Sequence, residues 1–303
     1  MFCSCLGEQA RHQHQQLVDP SGEDDSQEDP SEGFGPSKLG VRTTVDEPLS
    51  ASQAIEVLQA GNRRFVKGDV KAGGLGPDMR RALASHGQRP VATVIGCADS
   101  RCPVEQLFDA RPGDIFVLRN AGNTCTHAEG SMVGSVEYSV VNLETKMILV
   151  LGHTGCGAIM GATKLFLERS AQKYIEATWK KDAQETPDQS TEASSRSTLL
   201  GLLDALVPVA EQACVELGGG SSTEEIAAHA VKVNVWRTIN FLLSYSLIIR
   251  EKVASGEVEL QGAIYNMSSG AVEFLGKSPK QAQLLNYDGH VVPSMGGLAR
   301  QVS

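Results

Sequence analysis

Short, continuous apolar runs alternate along this chain with longer stretches in which apolar positions recur every three or four residues. Val91-Ala-Thr-Val-Ile-Gly96 and Met147-Ile-Leu-Val-Leu-Gly152 are runs of strand length with the pattern of strands buried on both faces, and Ile115-Phe-Val-Leu118 reads as another apolar strand. Glu257 to Tyr265 and Ala271 to Leu275 read as two more strands, joined by the hairpin-like Asn266-Met-Ser-Ser-Gly270. Helical spacing predicts a helix from near Ser50, with Ala54, Ile55, Leu58 and Phe65 on one face. It also predicts a short helix from Pro103 through Phe108, one over Glu129 to Asn142, and two over about 199–217 and 223–253. The last opens on the capping box Ser222-x-x-Glu225. Its stripe of Trp236, Ile239, Leu242, Leu243 and Leu247 suits a core or a subunit interface. Strands alternating with helices predict an α/β fold, a central, mainly parallel β-sheet flanked by helices with right-handed crossovers. No internal repeat is visible.

The polar segments set the expected boundaries. Residues 1–47 are rich in Gln, Ser, Asp, Glu, Pro and Gly, with too few apolar positions to offset ordering entropy. The segment 169–198 breaks the helical pattern with a polar stretch that reads as a surface insertion or loop. Gly73-Gly74-Leu75-Gly76-Pro77 reads as a loop and not a phosphate cradle, since no strand precedes it. We therefore expect a disordered acidic tail over 1–47 and one folded domain over 48–280, with a polar insertion at about 169–198. A C-terminal extension over 281–303 completes the chain.

Composition narrows the function classes. The chain has 303 residues, 41% of them hydrophobic, enough for a sizeable core, and a net charge of −9 that disfavours nucleic acid as a partner. Residues 1–47 hold ten acidic against three basic side chains, and the rest 26 against 24, so the expected domain is almost neutral. No run of 18 apolar residues predicts a membrane span, and no basic start with an apolar stretch predicts a secretory leader. Seven cysteines fit the cytoplasm or another reducing compartment better than a disulfide scaffold. Cys3 and Cys5 flank Ser4 beside Phe2 and Leu6, a pair that is a candidate for S-acylation; two acyl chains would anchor the protein peripherally to a membrane.

The densest chemistry lies just after two of the apolar runs. Cys97-Ala-Asp-Ser-Arg101 follows the first, and His153-Thr-Gly-Cys156 follows the Met147 run, 56 residues further on. Two thiolates and an imidazole (Cys97, Cys156 and His153) suit Zn²⁺, and three protein ligands leave its fourth tetrahedral position open. Structural zinc sites usually close with four, so this set points to chemistry. Both halves fall at the carboxyl ends of strands, where open α/β sheets place ligands. Asp99 and Arg101 form an ion pair close to the metal. Cys102, Cys125 and Cys214 read as small buried hydrophobes.

These paired motifs, Cys97-Ala-Asp-Ser-Arg101 and His153-Thr-Gly-Cys-Gly157, resemble those of the β-class carbonic anhydrases, zinc enzymes that interconvert CO₂ and bicarbonate. The resemblance runs over about residues 50–276, through Arg119-Asn-Ala-Gly-Asn123, Gly134-Ser-Val-Glu-Tyr138 and Gly262-Ala-Ile-Tyr265. It implies one Zn²⁺ per subunit held by Cys97, His153 and Cys156, with Asp99 and Arg101 as a catalytic dyad. It implies that zinc-bound hydroxide attacks CO₂ to give bicarbonate and a proton. Gln88, nine residues before Cys97, stands where family members with an accessible metal water carry a substrate-orienting glutamine, supplied by a neighbouring subunit. The resemblance thus also implies a homodimer or higher homo-oligomer. His86, His127 and His290 are the candidates for exporting the proton. The same motif would serve a zinc hydrolase of carbonyl sulfide or carbon disulfide. A non-catalytic zinc-binding interaction protein is the alternative from another class.

Overall fold

The computed structural model describes residues 39–125, 130–179 and 197–286. Its elements run α1 (Ala51–Lys67), α2 (Pro77–His86), β1 (Ala92–Cys97), α3 (Val104–Leu107), β2 (Ile115–Asn120), α4 (Ser131–Val141) and β3 (Met147–His153). Then follow α5 (Gly157–Trp179), α6 (Thr198–Leu217), α7 (Thr223–Tyr245), α8 (Leu247–Ala254), β4 (Glu259–Tyr265), β5 (Val272–Gly276) and α9 (Gln281–Leu285). The strands form one sheet in the order β2-β1-β3-β4-β5, parallel except for the antiparallel β4–β5 edge.

The alternation along β1 and β3 divides two cores. Ile95, Ile148 and Val150 pack with Val136 and Val140 of α4 and Ile239, Leu242 and Leu243 of α7. Val94, Leu149 and Leu151 face the other way, onto Ala54 and Leu58 of α1 and Val104 and Leu107 of α3. Apolar runs buried on both faces follow from this covering by helices. A third cluster gathers Cys97, Cys156 and Ile159 with Leu206, Val209 and Ala213 of α6 and Ala230 and Val231 of α7. By length and composition α6 would suffice to cross a membrane; here its stripe packs between α5 and α7.

Local chemistry explains the helix boundaries. Ser50 and Gln53 form a capping box at the start of α1, and Gly68 ends that helix in the left-handed region. Ser222 and Glu225 do the same for α7. The helix expected over 223–253 is in fact two. Ser246 interrupts it: the Ser246 Oγ accepts from Ile249 N–H (3.1 Å) to cap α8 and donates to Glu137 Oε1 (2.6 Å). Leu247 is therefore exposed, while Ile239, Leu242 and Leu243 of the expected stripe are core.

Order also extends beyond the expected boundaries. Residues 39–47, read from composition as part of a disordered tail, are folded onto the domain. Val41 and Thr43 are buried. Thr44 donates from N–H (3.1 Å) and Oγ1 (2.6 Å) to His86 O, and Arg42 exchanges bonds with Arg89, donating from Nε to its carbonyl (2.9 Å) and accepting from its N–H (3.3 Å). Long-range main-chain pairing of this kind leaves no trace in local composition. A chain beginning at residue 48 is expected to melt about 4 °C or more below one beginning at residue 39, since losing one buried Val alone removes about 1.5–3 kcal/mol. Equal melting temperatures by calorimetry would show that the strap contributes nothing.

Two further boundaries move. The segment expected as a surface loop from 169 is helical as far as Trp179, the end of α5. At the other end, Leu284 and Leu285 of α9 pack on the core, so the expected extension from 281 begins inside the folded body.

Asp109 closes the 69–72 segment onto α1. Its carboxylate accepts from Lys71 N–H (2.9 Å) and Ala72 N–H (2.6 Å) and pairs with Arg64 Nε at 2.5 Å. Burial would raise the Asp109 pKa, but these bonds hold it below the ordinary value. A depressed folded-state pKa gives stability that is present above the unfolded value of about 3.9 and lost as pH falls through the folded one. In Asp109→Asn, urea unfolding should therefore depend less steeply on pH between 5 and 3, with a cost at pH 7 of about 1–3 kcal/mol. An unchanged slope would remove the carboxylate from this role.

Candidate metal centre

Cys97 is the last residue of β1 and His153 the last of β3, so neighbouring parallel strands deliver both donors to the same end of the sheet. Cys156 lies three residues past His153, immediately before α5. Gly155 makes that return with φ +66°, a conformation that favours glycine, and a Cβ there would come within 3.2 Å of Met267 Cε. Thr154 N–H donates to Tyr265 O (3.0 Å), and Met267 N–H donates to Thr154 Oγ1 (3.1 Å), so the β4–β5 turn holds the second ligand loop. The three donor atoms lie within 4.8 Å of one another, and all three residues are buried.

The protonation pattern of these groups fits a cation. His153 Nδ1 lies 3.0 Å from Thr154 O, and a carbonyl can only accept, so Nδ1 carries hydrogen and Nε2 is the nitrogen left for a metal. Nε2 is buried and, among the described residues, meets no partner in hydrogen-bonding geometry. Contact with Cys156 pushes the Cys97 thiol down to about 3, and the same contact, with burial, pushes Cys156 up. Burial opposes protonation of His153, yet the Cys102 and Cys97 sulfurs outweigh it and push the imidazole up to about 10. An orphaned imidazole nitrogen and two sulfurs sharing one negative charge are what a thiolate-binding dication would satisfy. The donor set therefore fits Zn²⁺, with Thr154 O orienting the histidine.

Asp99 and Arg101 stand beside this cluster. Asp99 Oδ1 accepts from Arg101 N–H and Nε (both 2.9 Å), and Oδ2 from Nη2 (2.6 Å). Arg101 Nη2 also donates to Gly155 O (3.2 Å), which joins the two ligand loops. The Asp99 side chain is 17% exposed and that of Arg101 58%. Arg101 holds the Asp99 carboxyl well below the usual carboxylate range, so Asp99 is ionised throughout the neutral range.

Of the other expected site residues, Gln88 is half-buried in the connection from α2 to β1, held by the Thr44 and Arg42 bonds to its neighbours. Among the described residues no hydrogen bond joins it to the cluster. His86 is exposed at the end of α2. His127, His290, Cys3 and Cys5 lie outside the described residues. Cys102 and Cys125 are buried, as their type suggests, and Cys214 is half-buried.

Three neighbours of the site escaped sequence reasoning. Cys102 lies against His153 and not merely in the core. Arg119 donates from Nε to Cys97 O (2.8 Å) and from Nη2 to Asp99 O (2.6 Å), bracing the first ligand loop. A basic residue ending the apolar run 115–118, opposite Gly96 in the sheet register, was its signal. Asn234 of α7 had none, being one polar residue in a long helix.

Comparisons with known proteins agree with this centre. The family model described as carbonic anhydrase matches residues 92–272. Carbonic anhydrase 2 of Mycobacterium tuberculosis is 32% identical over 223 residues, 74% of this chain and 90% of the relative. The carbonic anhydrase of Mycolicibacterium smegmatis is 33% identical over 226 residues, 75% of this chain and 92% of that one. Among solved structures, a tetrameric β-carbonic anhydrase of Sordaria macrospora superposes with a TM-score of 0.51 at 27% identity, covering 67% of this chain and 88% of its own. The β-carbonic anhydrase CafA of Aspergillus fumigatus gives 0.53 at 26%, over 69% and 85%. With its ligand cluster, its mainly parallel sheet and these relatives in agreement, the chain belongs to the β-class carbonic anhydrase family of enzymes.

Proposed function

We propose that this enzyme catalyses the reversible hydration of CO₂ to bicarbonate and a proton at one Zn²⁺ per subunit, held by Cys97, His153 and Cys156. The observation that carries the proposal is the convergence, among the described residues, of three buried donors beside an Asp–Arg pair. Zn²⁺ held by these residues would supply Lewis acidity, the property that lowers the pKa of bound water to about 7 at zinc sites with neutral imidazole ligands. Asp99 accepts a hydrogen bond from the nucleophile and turns its lone pair toward CO₂. Arg101 keeps Asp99 ionised and faced away from the cluster, and Arg119 fixes the backbone on which both stand. Gln88 orients substrate from a second copy of the chain, which accords with its having no hydrogen bond to the cluster among the described residues. A homodimer or a higher assembly follows from that role. A reducing compartment suits the five free cysteines of the described residues.

Stopped-flow CO₂ hydration tests this reading, with Cys156→Ala as the control and bound zinc measured in both. Wild-type protein should be faster by several orders of magnitude and carry one zinc. A wild-type rate no greater than that of the variant would end the proposal; activity on carbonyl sulfide or carbon disulfide alone would redirect it.

A further inference from the structure

The thiolates that hold a metal also weaken it as a Lewis acid, and the structure contains a device that counters this at Cys97. Gly122 N–H donates to Cys97 Sγ at 3.4 Å. Such a bond draws electron density from the sulfur. To aim its N–H there, the turn after β2 passes through two successive left-handed residues, Gly122 at φ +81° and Asn123 at φ +41°. A Cβ at 122 would also come within 3.2 Å of Leu206 Cδ1. Asn123 is strained in that conformation, and such strain persists only where surrounding contacts over-determine it.

Those contacts come from α7. Asn234 Nδ2 donates to Gly122 O at 2.6 Å, and Thr238 Oγ1, one turn along, donates to Asn123 O at 3.2 Å. Asn234 is 1% exposed, and its Oδ1 meets no donor among the described residues, so its amide is directed by the turn alone. On the near side, Asn120 closes the turn on itself, accepting from Thr124 N–H (2.9 Å) and donating to Thr124 O (2.6 Å). The post itself is fixed: a Cβ at Gly152 or Gly262 would meet Val235 at 2.8 or 2.6 Å, so α7 lies hard against the sheet.

We infer that Asn234, with Thr238 in support, is a positioning residue that holds the Gly122 N–H on the Cys97 sulfur and thereby sets the donor strength of that ligand. The inference rests on Cys97 being a metal ligand and not on which substrate is turned over.

The test uses the full chain loaded with Co²⁺, whose thiolate-to-metal absorption reports sulfur donor strength without any substrate. Asn234→Leu should shift that absorption to longer wavelength. Thr238→Val, which keeps the volume, should shift it the same way by less, and serves if Asn234→Leu does not fold. Ile239→Val, a core change on the same helix, should leave the band in place. In ¹¹³Cd-loaded wild-type protein the Gly122 amide proton should couple to the metal. No shift in either polar variant, an equal shift in Ile239→Val, or no coupling at Gly122 would overturn the inference. A wild-type enzyme lacking CO₂ hydration but showing these shifts would sink the functional proposal alone.

Discussion

Asp99→Ala is expected to retain its zinc and lose about 10²–10³-fold in kcat/KM. The three metal donors and their supports do not include the Asp99 side chain, so the cluster should load normally. What disappears is the acceptor beside it, an anionic oxygen pair that Arg101 keeps ionised and fixed. Removing one preorganised polar group of this kind typically costs about 2.7–4 kcal/mol of transition-state stabilisation. Because the interaction belongs to the transition state, kcat and kcat/KM should fall together, with KM little changed. Stopped-flow hydration alongside metal analysis separates the outcomes. Full activity would remove Asp99 from the mechanism, and loss of zinc would make it a structural residue.

Gly61→Ala should unfold the protein or destabilise it by at least about 3 kcal/mol, against the usual sign for this change. In an exposed helix interior Ala is better than Gly by about 0.8–1.0 kcal/mol. Here a Cβ at 61 would sit 1.9 Å from Phe108 O and 2.6 Å from Phe108 C, main-chain atoms that cannot rotate away. Relief requires α1 to lift from the end of α3, well beyond ordinary overpacking. Asn62 would move with it. Its Nδ2 donates to Leu107 O and Gly270 O, both at 3.0 Å, and its Oδ1 accepts from Val272 N–H at 2.8 Å. That amide joins α1 to the β4–β5 turn that supports the second ligand loop. Urea unfolding monitored by circular dichroism decides the matter, and a neutral or stabilised variant would mean α1 is not docked in this way.

Legibility in the sequence followed the range of the interactions. The apolar runs at 91–96 and 147–152 announced buried strands because a strand covered on both faces needs an unbroken run, whereas the run at 115–118 gave β2, an edge strand that is only partly covered. Cys97, His153 and Cys156 were legible as a set because a metal site demands particular atoms, and the strand ends showed where they would meet. Asp99 and Arg101 were close enough in sequence for their pairing to be inferred. The break at Ser246 was not legible, since the partner that its hydroxyl donates to, Glu137, is more than a hundred residues away. Residues 39–47 look disordered in composition because their bonds go to the main chain of 86–89, and main-chain partners have no sequence signature. Asn234 was hidden for the same reason, since it acts on a carbonyl, and Arg119, which also acts on carbonyls, showed only as a basic residue ending an apolar run.

The glycines at 152 and 262 leave α7 no clearance above the strands, so the floor beneath the ligands admits neither larger side chains nor a shift in helix height. Drift among relatives, or a designer's library, can reshape this catalyst only from its solvent side, around Arg101 and the turn bearing Met267. Its tolerance for novelty is one-sided, a property of backbone spacing and not of the donor cluster above it.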